Sequence, residues 1–357
     1  MFLGRRTSGS SCHQYNPQMD ADREAPYAAL TPDCVLDALS SVGFSGDGRL
    51  LALNSYENRV YQVWLDDRSA IAGLPANASS IVAKFYRPLR WTDAQIAEEH
   101  QFVSELSELE IPVVAPLELP GQGTLASFRA FRFAVYPRCG GRAPELEDPL
   151  TLEWMGRFVG RIHRVGAVAP FAVRPALDLM SFGEEPRDWL LAHDFIPADI
   201  SDAWKSVVAL SLDGIRRCFE RAGDVLNIRL HGDCHAGNVL WTDSGPHFVD
   251  FDDARMGPAI QDLWMLLSGD RSDMQRQLRA IVSGYEDFHD FDDRELWLIE
   301  ALRTLRLIHY SAWLARRWDD PAFPAAFPWF NTQRYWQDRI LELREQVAAM
   351  DEPALVI

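Results

Sequence analysis

The pattern of the chain changes once along its length, and this change restricts the folds that it can adopt. Between residues 30 and 137, β-type segments alternate with turns and with one long helical pattern. After the linker at 137–142 (PRCGGR), the pattern is mainly helical. A small sheet followed by a larger helical part predicts an α+β protein of two lobes, a β-rich N-lobe and a mainly helical C-lobe.

Hydrophobic periodicity and turn signals place the individual elements. Thr31 with Pro32 marks the start of a short helix, and Thr92 with Gln95 forms a capping box at the start of a longer one over 92–111. Strands are expected at 50–53, 59–65, 80–86, 114–119 and 131–136. The second part is expected to hold helices at 152–165, 188–193, 202–221, 259–268, 272–285 and 293–317, with short strands at 228–230 and 247–251.

These elements divide the chain into three parts. We expect residues 1–28 to be a disordered leader, 29–137 to form the N-lobe and 138–357 to form the C-lobe. Two arginines near the N-terminus are not followed by an apolar segment, so a signal peptide is not predicted. Met19 is an alternative start to Met1.

Composition excludes several classes of protein. Acidic residues outnumber basic ones by 52 to 35, and the resulting charge of −17 disfavours the broad basic surface that binds nucleic acid. No run approaches the roughly 18–20 apolar residues of a membrane helix. Five scattered cysteines without a CxxC pair favour neither a disulfide framework nor a zinc ribbon, and fit a reducing compartment. We therefore expect a cytoplasmic monomer without nucleic-acid or membrane partners.

The segment 231–238, HGDCHAGN, has the most specific chemistry in the chain. Asp233 is followed five residues later by Asn238, and Asp250 comes twelve residues after Asn238 at the end of a predicted hairpin. A carboxylate of this kind can accept the proton of an acceptor hydroxyl. The amide and the second carboxylate are hard oxygen ligands for Mg²⁺, which bridges nucleotide phosphates. The spacing therefore predicts phosphoryl transfer to a hydroxyl.

Neighbouring residues have more ordinary interpretations. His231, Cys234 and His235 are too crowded for a tetrahedral zinc site, and we expect His231 to brace the loop as a neutral histidine. Asp262 is expected to orient the loop by accepting backbone N–H bonds. Asp252 is left open between a second metal ligand and a turn cap, whereas a cap is favoured for Asp253.

The pattern HGDxxxxN followed by a strand ending in Asp resembles the aminoglycoside phosphotransferase and choline kinase group. The resemblance implies a protein-kinase-like two-lobed fold with Asp233 and Asp250 as catalytic residues. Asp233 would be the base, and Asn238 and Asp250 would hold the metal. Asp252 stands where protein kinases have the glycine of their DFG motif, so this chain is closer to the phosphotransferase pattern.

A nucleotide site also needs a cation, and Lys84 is the only lysine in the first half of the ordered chain. It lies on an apolar predicted strand, which favours a phosphate-binding role over a solvent-facing one. Its partner should be a helix glutamate, Glu98 or Glu99. We favour Glu99 because it precedes Phe102 by three residues on one helix face, and we expect the other glutamate to be solvated.

The phosphate loop departs from the protein-kinase pattern, because no GxGxxG is present. Residues 54–58 (NSYEN) occupy its place between two strands, and their backbone N–H groups can still face phosphates. The resemblance associates Ser55 with ATP; the alternative is an ordinary hairpin turn. The segment 135–137 is expected to present backbone groups to adenine.

Longer strings are similar to a family of bacterial stress-response serine/threonine protein kinases with this fold. They include LNSYENRVYQ (53–62), VAKFYRP (82–88), DLWMLL (262–267) and DPAFPAAFPWF (320–330). The resemblance implies an ATP- and Mg²⁺-dependent kinase with a protein acceptor of unknown identity. The alternative is a small-molecule kinase of the aminoglycoside, choline or homoserine type. A pseudokinase ranks last, because Lys84, Asp233, Asn238 and Asp250 are all present.

Overall fold

The computed structural model describes residues 26–66, 74, 78–243 and 245–357. Most of the predicted leader therefore lies outside the described residues. Thr31 caps the first helix by accepting from the Cys34 N–H, as its sequence predicts. Thr92 and Gln95 form the predicted capping box at the start of the second.

The N-lobe contains a five-stranded antiparallel sheet with strand order β1-β2-β3-β5-β4. Lys84 lies in β3, where it is paired with Val60 of β2 and Ala134 of β5, so the sheet holds it on both sides. The elements are α1 (Pro32–Ser41), β1 (Gly46–Leu53), β2 (Arg59–Leu65), β3 (Ser80–Phe85), α2 (Asp93–Glu108), β4 (Ala126–Phe128) and β5 (Phe131–Pro137).

The strand expected at 114–119 is wrong, and β4 occupies that edge of the sheet instead. Proline at positions 112, 116 and 120 removes a backbone donor every fourth residue, so this segment cannot sustain a hydrogen-bonded ladder. Leu117 donates its N–H to the Val135 carbonyl of β5 at 2.7 Å, whereas Val114 and Leu119 donate to Phe248 and Gly123 outside the sheet. The segment thus follows β5 without becoming a strand.

The C-lobe is mainly helical, as expected, with two small two-stranded sheets at the cleft. The predicted helix 293–317 is divided, because Asp293–Leu298 forms a 3₁₀ turn before the α-helix. The α-helices and strands of the C-lobe are α3 (Pro149–Gly166), α4 (Glu185–Ala192), α5 (Ser201–Ala222), β6 (Ile228–Leu230), β7 (Val239–Thr242), β8 (Gly245–Phe248), β9 (Arg255–Gly257), α6 (Ile260–Trp264), α7 (Arg271–Tyr285), α8 (Ile299–Ala315), α9 (Ala322–Ala326) and α10 (Gln333–Asp351).

The two larger hydrophobic cores among the described residues correspond to the two lobes. One lies between α1 and the sheet, and the other is built from the C-lobe helices. Phe102, Val103 and Leu106 of α2 belong to the C-lobe core, so α2 joins the sheet to the helical part. This confirms the α+β, two-lobed prediction. Within the described residues, none of the helices has the length and apolar character needed to cross a membrane.

Candidate active site

A cavity of about 350 Å³ lies between the N-lobe sheet, α2 and the β7–β8 hairpin of the C-lobe. Much of its lining is aliphatic, whereas Lys84 and Asp250, which lie 2.9 Å apart, form its polar end, as expected of a site for a ligand with an apolar base and charged phosphates. Five of the predicted site residues line it: Ser55, Lys84, Glu99, Asn238 and Asp250.

The loop at residues 231–238 is held in place by one buried carboxylate. Asp262 accepts the backbone N–H groups of His231 at 2.8 Å and Gly232 at 2.9 Å, which confirms the predicted bracing role. His163 of α3 contacts the same carboxylate at 3.0 Å. Gly232 adopts φ +83°, and a Cβ there would stand 2.2 Å from the Asp253 carbonyl oxygen. The turn therefore requires glycine.

His231 ties the loop to the strand end that precedes Asp250. Its Nε2 lies 2.9 Å from the Val249 carbonyl oxygen, and its Nδ1 lies 3.3 Å from the Asp233 backbone nitrogen. A carbonyl can only accept and an N–H can only donate, so these partners assign the proton to Nε2. The ring is therefore neutral, as predicted.

Asp233 adjoins the cavity through Asn238, whose side-chain nitrogen donates to the Asp233 carbonyl oxygen at 3.0 Å. The Oδ1 atom of Asp233 accepts from Arg306 of α8 at 2.7 Å, and the Oδ2 atom of Asp233 lies 3.5 Å from His235 Nε2. Burial raises the pKa of the Asp233 carboxyl, but His235 and Arg306 outweigh this effect and hold the pKa below its usual range. The side chain is thus kept as a carboxylate, able to accept a proton.

Asn238 and Asp250 offer the donors that Mg²⁺ prefers. Because Asn238 donates through its nitrogen to Asp233, its side-chain oxygen is left for another partner. Asp250 has a half-exposed carboxylate and a left-handed backbone with φ +62°. Among the described residues no cluster of three or more His, Cys, Asp or Glu could hold a metal. Two protein oxygens completed by water and phosphate fit Mg²⁺.

Lys84 faces two carboxylates of the C-lobe. Its ammonium lies 2.9 Å from Asp250 Oδ1 and 3.2 Å from Asp252 Oδ1. Burial by itself would lower the pKa of Lys84, but these carboxylates hold it well above its usual value. The lysine is therefore charged at the polar end of the cavity.

The predicted Lys84–Glu99 ion pair is not formed. Glu99 is buried beside the lysine, but its Oε2 pairs with Arg174 Nη2 at 3.1 Å. Burial raises the pKa of Glu99 to about 7 against the opposing effects of Lys84 and Arg174. Glu98 is not simply solvated either, since it accepts the backbone N–H groups of residues 172–174. Arg174 lies 75 residues away in the sequence, which is why spacing on α2 could not reveal it.

Asp252 and Asp253 are ion-paired, so the turn cap expected for Asp253 is wrong. Arg90, which follows β3, donates to Asp252 and also to Asp253 Oδ1 at 2.9 Å. Asp253 Oδ1 additionally accepts from Arg255 at 2.7 Å. Burial opposes ionisation of both carboxylates, yet the neighbouring cations hold each pKa below its usual range.

The β1–β2 turn, residues 54–58, is anchored to the C-lobe. Glu57 is buried, accepts from Trp313 Nε1 at 2.7 Å and pairs with Arg317 near the end of α8. Nearby, Arg87 pairs with Asp320 at 3.0 Å. These contacts join residues more than 200 positions apart. Sequence reasoning missed Glu57, Arg90 and Arg306, because no local pattern distinguishes them from surface charges.

Comparison with known proteins agrees with this geometry. Residues 49–297 match the phosphotransferase enzyme family. This range includes the residues on both sides of the cavity. The chain belongs to this family. The phosphotransferase is 44% identical over 334 residues to stress response kinase A of Salmonella choleraesuis and to serine/threonine protein kinase RdoA of Salmonella typhimurium. Each alignment covers 94% of this chain and 98% of the relative.

Solved structures share the fold of the phosphotransferase at low sequence identity. Amicoumacin kinase hAmiN, in complex with AMP-PNP, Ca²⁺ and Ami, superimposes with a TM-score of 0.68 at 18% identity, covering 91% of this chain and 94% of that one. Choline kinase from Cryptosporidium parvum gives 0.55 at 12% identity, covering 85% and 89%. These structures agree in fold, and the family together with the kinase-named relatives at 44% identity shows that the phosphotransferase is a kinase, for which ATP is the expected co-substrate.

Proposed function

We propose that the phosphotransferase is an ATP- and Mg²⁺-dependent serine/threonine protein kinase that acts in a bacterial stress response. The observation that carries the site is the convergence of Lys84, Asn238 and Asp250 on one cavity, with Asp233 beside it. The protein acceptor is proposed from alignment over nearly the whole chain with a relative named as a serine/threonine protein kinase.

In this proposal Asp233 accepts the proton of a serine or threonine hydroxyl. The hydroxyl oxygen forms a bond to the γ-phosphorus as the bond from that phosphorus to the β–γ bridging oxygen breaks, and ADP leaves. Lys84 orients the phosphates, and the turn that holds Ser55 covers them. Asn238 and Asp250 would hold Mg²⁺, which neutralises phosphate charge when bound. Catalysis by such a site rests on positioning and electrostatics.

The test is transfer from radiolabelled ATP with Mg²⁺ to a panel of acceptor proteins, beside aminoglycosides, choline and homoserine. We expect label on serine or threonine of protein, and we expect Asp233→Asn to remove it. Asp202, fully exposed on α5, provides the matched control, since Asp202→Asn makes the same chemical change away from the cleft. Label that enters only small molecules would overturn the protein-kinase proposal while retaining the site.

We also propose that the protein works as a monomer in the cytoplasm. Every residue assigned to the site comes from one chain, so no second subunit is required. Cys34, Cys139, Cys218 and Cys234 are free thiols, which fits a reducing compartment. Sedimentation of the purified protein and fractionation of cells test the two statements separately.

A further inference from the structure

We infer that Asp252, rather than the helix glutamate, is the positioning residue for Lys84. This inference rests on the proposed nucleotide site. The side chain of Asp252 is only 5% exposed, and it lies between two cations from the N-lobe. Its Oδ1 is 3.2 Å from the Lys84 ammonium, and its Oδ2 accepts from Arg90.

The other two carboxylates near Lys84, those of Glu99 and Asp250, have a different ion-pair partner or a different proposed role. Glu99 pairs with Arg174, whose side chain is fully buried and therefore cannot exchange this partner for water. Asp250 does contact Lys84 at 2.9 Å, but it is half exposed and is the proposed metal ligand. When a carboxylate binds a metal, the charge of the metal offsets its own, and its attraction for the lysine is weaker. Asp252 is then the anion that remains beside the ammonium.

An unsatisfied atom supports this assignment. Within the described part of the chain, Asp252 Oδ1 is buried without a hydrogen-bond donor in favourable geometry, although the Lys84 ammonium is close by. A buried oxygen left in this state is costly. A small movement of Lys84 away from Asp250 would satisfy it. The unsatisfied oxygen therefore marks the position that the ammonium takes when Asp250 is engaged elsewhere.

The surrounding structure fixes Asp252 strongly enough to serve as a reference point. Arg174 donates to the Asp252 carbonyl oxygen at 3.0 Å and to the Ala254 carbonyl oxygen at 2.7 Å. Arg90 holds the carboxylate itself, and its Nε lies 3.8 Å from Glu57 Oε1 on the β1–β2 turn. Both oxygens of Asp252 thus face cations of the protein, so the second-metal alternative for this residue is disfavoured.

The experiment compares affinities for Mg²⁺-ATP and adenosine in wild type, Asp252→Asn and the matched variant Glu99→Gln. A residue that acts through Lys84 should affect the binding of Mg²⁺-ATP but not of adenosine, because adenosine has no phosphates. We expect Asp252→Asn to weaken Mg²⁺-ATP binding about tenfold and to leave adenosine binding within about twofold. Glu99→Gln should weaken Mg²⁺-ATP binding less than Asp252→Asn does.

A double-mutant cycle with Lys84→Met measures whether Asp252 affects ATP binding through Lys84. If Asp252 acts through Lys84, Asp252→Asn should have little further effect on ATP binding once the lysine is removed. Additive losses, or an Asp252→Asn protein that binds Mg²⁺-ATP as tightly as wild type, would overturn the inference. Should Asp252→Asn not fold, Arg90→Gln provides the second variant, with a smaller loss of ATP affinity expected and adenosine again unaffected. A wild type that fails to bind ATP would instead overturn the nucleotide site itself.

Discussion

The loop at residues 231–238 and the β1–β2 turn (54–58) line the same cavity but are held in place by different interactions. The loop is braced inside the C-lobe by hydrogen bonds from its backbone to Asp262 and by the neutral ring of His231. The turn is held by Glu57, which reaches across to Trp313 and Arg317 of the other lobe. One wall is therefore organised by its own lobe, and the other depends on the distance between the lobes.

We therefore expect the loop to control phosphoryl transfer and the turn to depend on how closely the two lobes approach each other. Hydrogen bonds to backbone groups hold the loop within its own lobe, so we expect Asp233 and Asn238 to be arranged before any ligand binds. Ion pairs between the lobes are lost if the lobes separate, so the position of the turn reports lobe closure. Variants of the loop should therefore affect transfer more than binding, whereas variants of the turn should affect binding and stability together.

The largest effect is expected at the proposed base. Asp233→Asn should lower kcat by about 10²- to 10⁴-fold, because the amide cannot accept the hydroxyl proton. ATP binding should stay within a few-fold of wild type, since Asp233 lies beside the nucleotide cavity rather than in its wall. Single-turnover transfer and equilibrium ATP binding measure the two quantities. Wild-type turnover in this variant would show that the base is misassigned.

The brace of the loop should come next. Asp262→Ala removes the acceptor of two buried N–H groups and a partner of His163, which we expect to lower the free energy of unfolding by roughly 2–5 kcal/mol. Denaturant unfolding measures this loss. At temperatures where the variant remains folded, kcat should fall more than ATP affinity. If ATP affinity fell more than kcat, the loop would not be organised independently of the β1–β2 turn.

The cross-cleft contact should have a smaller effect. Glu57→Gln leaves an acceptor for Trp313 but removes the charge that faces Arg317, and we expect a loss of about 2 kcal/mol in unfolding free energy. The KM for ATP should rise, because the turn is less well held. Asp47→Asn is the matched control, because Asp47 pairs with the exposed Arg49 and this substitution should leave the free energy of unfolding close to the wild-type value. Equal effects in both variants would remove the proposed distinction between the walls.

The smallest effect concerns a neutral network behind Lys84. His100 lies between the Tyr86 hydroxyl at 2.7 Å and the Thr124 hydroxyl at 2.8 Å, and burial lowers its pKa to about 3. The unfolded chain binds this proton near pH 6.5 and the folded one does not, so stability is lost as the pH falls below 6.5. Between pH 7 and 5.5 we expect His100 by itself to contribute a loss of about 1 kcal/mol.

The comparison for this prediction is His100→Gln, which cannot titrate. Urea unfolding of both proteins at several pH values gives the difference directly. The wild type should lose more stability than the variant on acidification, and parallel curves would mean that His100 is not kept neutral in the folded protein.

Local order and short-range chemistry could be predicted from the chain. The order of the two lobes, the caps at Thr31 and Thr92, and the bracing role of Asp262 follow from patterns that span a few residues or from one compact motif. The strand predicted at 114–119 was an exception. Its alternating apolar residues indicated a strand, but the prolines in and around it lack the backbone N–H groups that a strand needs. The roles assigned to Ser55, Lys84, Asp233, Asn238 and Asp250 remain predictions for the experiments above.

The charges that hold the cleft could be assigned only from the tertiary structure. Arg174 takes Glu99, Arg306 meets Asp233, and Arg90 links Asp252 to the neighbourhood of Glu57. Each pair joins residues that are far apart in the chain. A carboxylate attracts whichever cation the fold brings within a few ångström, and charge has no periodicity that would mark its partner. The sequence by itself therefore determined which groups could do chemistry, and the packing of the lobes decided which charges hold them in place.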